Sequence, residues 1–217
     1  HRLIEFKTKY ISFLRNPISC LLSTIYSSIR MMNNQEIPQD KKKIEEAIHW
    51  HLDNAFGLKG NKQRYLLLSR FFLCFYDDVF DNISVWPPKN LEPGGKYDNQ
   101  SSTEIISKVK NIIDEFFPFI GITEKFDVST FIFLSLIGYR ENINHQWKHL
   151  HVSGAPHYTE LSDSVIDRIS EILSIDIEIY NFYLSIFNNK YKNYLDKLSK
   201  LGYSSLAQKK QITKKLV

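Results

Sequence analysis

Arg15 and Ser23 stand eight positions apart, and the stretch between them reads as a junction from a strand into a helix. That arrangement suits the capture of an anion. A helix N-terminus offers unpaired N–H groups and the positive end of its dipole, and a guanidinium adds a planar, permanently charged fork. Ser23 supplies a neutral hydroxyl donor two turns into the helix. A second constellation is Asp77-Asp78-Val79-Phe80-Asp81, whose three carboxylates can share one helical face and offer the oxygen ligands that Mg²⁺ takes. A third is the group His145, His149, His151 and His157. It lacks Cys or a carboxylate at ligand spacing and falls in a loop-like stretch, so no metal site is expected there.

The elements that must position these residues follow from pattern. Tyr10-Ile11-Ser12-Phe13-Leu14 has the aromatic and β-branched content of a buried strand. Pro17 suits a first helical position, and Leu21, Leu22, Ile25, Ile29 and Met32 then recur at helical spacing until Asn33-Asn34 and Pro38. A second helix is expected from Ile44 to Phe56, stopped by Gly57 and Gly60, and a buried one from Arg64 to Phe80. Residues 86–100, with three prolines and Gly94-Gly95, read as a loop. Ser101 and Glu104 form a capping-box signature ahead of the stripe Ile105, Ile106, Val109, Ile112, Ile113 and Phe116. Residues 119–123 read as a second core strand, followed by a helix over about residues 127–136. After a polar loop at residues 145–158, Val165, Ile169, Ile172, Leu173, Ile177, Tyr180 and Leu184 predict one long helix. There is no internal repeat. Strand–helix alternation with a helical majority predicts an α/β layer fold with a small parallel sheet.

Composition bounds the function. The chain of 217 residues, 43% hydrophobic and 24% charged, suits one soluble domain, with residues 190–217 as a basic helical tail. A net charge of +4 favours anionic ligands without requiring nucleic acid. No apolar run approaches the ~18–20 residues of a membrane span. Two cysteines, Cys20 and Cys74, make no disulfide framework. Lys190, Lys192, Lys197, Lys200, Lys209, Lys210, Lys214 and Lys215 read as a solvated face and tail. The excess of Lys over Arg, with abundant Asn and Ile, points to an AT-rich genome and a bacterial cytoplasm. A Golgi-lumen location would apply to a eukaryotic chain with an anchor before His1.

Four segments, in order, resemble the sulfotransferases that use 3′-phosphoadenosine 5′-phosphosulfate (PAPS), specifically their carbohydrate branch, which includes heparan sulfate 2-O-sulfotransferase and bacterial relatives. Tyr10 to Tyr26 looks like that branch's Y-I-x-x-L-R-D-P followed by L-L-S-x-x-Y, with Asn16 in place of Asp. Asn61-Lys62-Gln63-Arg64-Tyr65-Leu66 resembles its N-x-Q-x-R-x-L stretch, and Gly121 to Asp127 its G-L-T-E-R-F-D segment. Glu160-Leu161-Ser162 through Asp176 to Tyr180 resembles its closing helix, ending D-x-E-x-Y.

The resemblance implies a P-loop-like sulfotransferase fold and transfer of a sulfuryl group from PAPS to a hydroxyl of a carbohydrate-type acceptor, without a metal. It implies that Arg15 and Ser23 hold the donor's 3′-phosphate and that Thr123 and Glu124 lie near the adenine. Arg64 could meet an acceptor's anionic group, or simply cap a buried helix. Relatives carry a loop for the 5′-phosphosulfate and a catalytic base ahead of the arginine strand. No such loop is present here, so the chain reads as the later part of a longer domain. His1 stands where a G-L-H-like motif would supply the base, the plain alternative being a frayed terminus.

Two other readings compete. The chain could be a nucleotide-binding or structural remnant without activity. It could also be a Mg²⁺-dependent isoprenoid synthase through Asp77, Asp78 and Asp81. Against that, the partner motif fails: Asp167 and Ser170 fit, but Ser174 stands where Glu is needed, and the chain is short for an all-helical synthase.

Overall fold

The computed structural model describes residues 9–32, 38, 40–54, 68–73, 100–138, 156–193 and 196. The expected first strand forms as β1 (Ile11–Leu14), and the second as β2 (Phe119–Ile122). They pair in parallel, with Ile11 opposite Phe119 and Leu14 opposite Ile122. Seven α-helices complete the described residues: α1 (Pro17–Met32), α2 (Lys41–Asn54), α3 (Leu68–Leu73), α4 (Ser102–Phe116), α5 (Phe126–Leu136), α6 (Asp163–Ile172) and α7 (Ser174–Lys190). The described chain is thus mostly helical around a small parallel sheet, compatible with the α/β class expected from the sequence.

Three of the helix starts have a local cause. Asn16 caps α1: its side-chain Oδ1 accepts from the Ser19 N–H at 3.1 Å and its carbonyl from Cys20 N at 2.9 Å. The short amide does what the aspartate of the related pattern would do at an N-cap. Asp40 caps α2 through the Lys43 N–H at 3.1 Å, which starts that helix three residues before the expected Ile44. Ser101 and Glu104 complete the expected capping box on α4.

The expected long helix after Leu161 is instead two helices meeting at Leu173. Val165, Ile169 and Leu173 bury against α1 and α2, whereas Ile175, Ile179, Tyr183 and Phe187 bury against the sheet and α4. The stripe jumps two positions at Leu173, about 200° around a helix, so one straight helix could not bury both runs.

The core accordingly has two parts. One surrounds the sheet and includes Leu14, Phe72, Ile113, Phe119, Ile122, Ile179 and Phe187. The other lies between α1, α2 and α6, where Arg168 pairs with Asp53 and donates to His49 Nδ1 at 2.8 Å, and Glu45 accepts from the Ser162 N–H at 2.7 Å. On β2, the Ser129 hydroxyl accepts from Ile122 N at 2.9 Å and donates to Ile122 O at 3.1 Å. A side chain thereby satisfies backbone groups that a further strand would otherwise bond.

Candidate functional site at the strand ends

Leu14 and Ile122 are register partners and both are fully buried, so the two parallel strands leave the core side by side. Arg15 and Thr123 follow immediately, then Asn16 and Glu124. In parallel sheets the carboxyl ends of the strands are where loops and helix N-termini converge on a ligand.

The junction is closed by one carboxylate. The Asn16 N–H donates to Glu124 Oε1 at 2.8 Å, and the Tyr180 hydroxyl donates to Glu124 Oε2 at 2.9 Å. Burial, followed by the charge and hydrogen bond of Glu124, holds the Tyr180 phenol well above its ordinary pKa. Glu124 itself remains exposed, in a 3₁₀ turn over Thr123–Lys125 that leads straight into α5.

Arg15 is exposed and, among the described residues, has no hydrogen-bond or ion-pair partner. Its charge is nevertheless felt at Cys20: burial raises that thiol's pKa, Arg15 opposes the rise, and Asp176 and Glu124 reinforce it. Arg15, Glu124 and Asp176 thus all act electrostatically on the first turn of α1.

Ser23 is half-buried, on the flank of α1 opposite the buried Leu21, Leu22, Ile25 and Ile29; its carbonyl accepts from the Ser27 hydroxyl at 2.8 Å. Thr123, also half-buried, begins the 3₁₀ turn beside it in sequence to Glu124.

Asp176 is fully buried, at 0% exposure. Its carboxylate accepts from the N–H groups of Leu68 at 2.8 Å and Ser69 at 2.9 Å, and from the Ser69 hydroxyl. It therefore caps α3 from a distant helix. Asp176 and Tyr180 lie one turn apart on α7, so the D-x-E-x-Y pattern places two polar anchors on one face, one for α3 and one for the β2 exit. Sequence reasoning found the pattern but not these jobs. An Asp and a Tyr interrupting the buried run Ile175, Ile179 and Tyr183 was the available signal, since a buried charge demands partners.

Other sequence candidates fall elsewhere. His1, Arg64, Asp77, Asp78, Asp81, His145, His149 and His151 lie outside the described residues. His157 is described and caps the 3₁₀ turn Tyr158–Glu160, its Nδ1 lying 2.9 Å from the Thr159 hydroxyl. A shallow apolar depression of about 180 Å³ is lined by Ile29, Met32, Ala47, Trp50 and His51. It sits at the far end of α1 from Arg15, ~20 Å along the axis at 1.5 Å per residue. It is separate from the strand ends. No helix among the described residues is long and apolar enough to cross a membrane.

No protein-family model, curated protein or solved structure matches this chain. The likeness to sulfotransferases accordingly rests on the four sequence segments themselves.

Proposed function

We propose that this chain binds PAPS and directs its sulfuryl group to a hydroxyl of a carbohydrate-type acceptor. The observation that supports the reading is the bond between Asn16 and Glu124. It joins two segments 108 residues apart that the resemblance assigns, independently, to one nucleotide. A chain in which Arg15 and Thr123 lay on different surfaces could not use both on the same donor.

In this reading Arg15 forks onto the 3′-phosphate, where an exposed guanidinium at a helix start fits a dianion. Ser23 adds a neutral donor from the next turns of α1. These residues orient the donor and distinguish it from an adenylyl sulfate that lacks the 3′-phosphate. Transfer is then an in-line displacement: the acceptor oxygen forms its bond to sulfur as the bond to the 5′-phosphate oxygen breaks, and a base takes the acceptor proton. His1 is the candidate base and Arg64 the candidate acceptor contact, by resemblance alone.

The test has two stages. Calorimetry should detect binding of 3′-phosphoadenosine 5′-phosphate (PAP) that depends on Arg15. Incubation with radiolabelled PAPS and sulfatable polysaccharides should then label the acceptor. PAP binding without transfer to any acceptor would favour a nucleotide-binding chain without activity, and absence of both would end the proposal.

A further inference from the structure

The first turn of α1 already holds an anion of the protein's own. The Asn16 N–H is taken by Glu124 Oε1, Pro17 has no N–H, and the Ser19 N–H is taken by the Asn16 side chain. Among the described residues, Ile18 alone in that turn has an N–H with no acceptor. Among the described residues the adjoining cation, Arg15, has no partner. A phosphate drawn to Arg15 and the helix start therefore arrives beside a carboxylate occupying the ground it would take.

Resting on the nucleotide reading above, we infer that Glu124 is an internal competitor for the donor's 3′-phosphate. In the arrangement seen here it holds the helix start closed. Phosphate binding turns its exposed side chain away from Asn16 and, with it, releases the Tyr180 hydroxyl. The carboxylate raises the threshold for every anion at this place. A simple inorganic anion, with few other contacts, fails to displace it, while a nucleotide carrying base, ribose and a second phosphate has other interactions to draw on. Glu124 thus selects against small anions and links donor binding to the packing of α7 on the end of β2.

The test compares wild type with Glu124→Gln, which keeps an acceptor for the Asn16 N–H and can still bond Tyr180, together with Arg15→Ala. Calorimetry with PAP, and thermal shift with inorganic phosphate, are run in low and in added salt. Removing one unit charge beside the bound phosphate should tighten PAP binding about tenfold in low salt. The gain should shrink as NaCl is added, and inorganic phosphate should begin to stabilise the variant. If PAP binds wild type, weakens in Arg15→Ala, and is unchanged or weakened in Glu124→Gln, the competitor role is wrong while the nucleotide site stands. If neither wild type nor Glu124→Gln binds PAP, the nucleotide reading fails and this inference falls with it.

Discussion

The backbone nitrogen of Asn16 and the Oε1 of Glu124 lie 2.8 Å apart, a polar tie between the exits of the two parallel strands. Because Asn16 also caps α1 through its side chain, one residue fixes both the start of that helix and the position of the neighbouring strand exit. Arg15 sits between these two constraints. Its Cα is held by β1 on one side and the cap on the other, while its guanidinium stays available.

Arg15→Ala is expected to weaken PAP by at least about tenfold, the scale of one hydrogen bond to a charged group. Ser23→Ala should cost less, about threefold, since its hydroxyl is neutral. Both losses should be far smaller for adenosine 5′-phosphosulfate, which has no 3′-phosphate. Calorimetry with the two nucleotides decides the matter: equal losses for both would move Arg15 away from the 3′-phosphate.

Asp176→Ala should destabilise the fold by ~3 kcal/mol, because it strands two backbone N–H groups and a hydroxyl in a buried place. Asp176→Asn should recover part of this, since its amide oxygen can still accept. Urea unfolding measures both, and a loss under ~1 kcal/mol for the alanine variant would mean that water or other groups replace the cap.

Much of this architecture was legible in residue pattern. The α4 cap, both strands and the helical stripes follow from local chemistry that needs no tertiary information. The break at Leu173 was not legible, because every apolar residue on both sides fits some helical face. Only the existence of two separate cores decides which face. The bonds made by Glu124, a residue singled out only through the resemblance, were similarly opaque. As a sequence letter it is a polar residue after a strand, and its two donors come from segments more than fifty positions away on either side. Arg15 stood out because a strand, a cap and a cation adjoin in sequence.

Gly121 gives a packing test of the sheet beneath the site. A Cβ there would lie 2.7 Å from two Phe13 ring carbons and 3.0 Å from Ser129 Cβ. Gly121→Ala should therefore cost about 1–3 kcal/mol by overpacking. Adding Phe13→Leu should make the two changes non-additive, the double variant being more stable than the sum predicts. Simple additivity in urea unfolding would show that the ring and the glycine do not share their space.

Alkaline pH supplies the last test. Tyr26, Tyr180 and Tyr183 are each nearly buried, and burial is the leading cause that lifts their phenols, Tyr26 to about 12. Glu124 adds to the rise at Tyr180, Asp114 at Tyr183, and Glu160 and Glu45 at Tyr26. A raised folded pKa means the folded chain keeps protons that the unfolded chain has released. Above the unfolded value of about 10, the unfolded state therefore binds fewer protons and stability falls as pH rises, by up to ~1.4 kcal/mol per pH unit per tyrosine. Below about 10 the effect vanishes, because all three are protonated in both states. Urea unfolding at pH 9 and 11 should show this loss. Tyr180→Phe should flatten it by one tyrosine's share while costing about 1 kcal/mol at neutral pH for the lost bond to Glu124. A slope unchanged by that substitution would mean that the Tyr180 hydroxyl titrates as freely in the folded chain as in the unfolded one, and that Glu124 does not hold it.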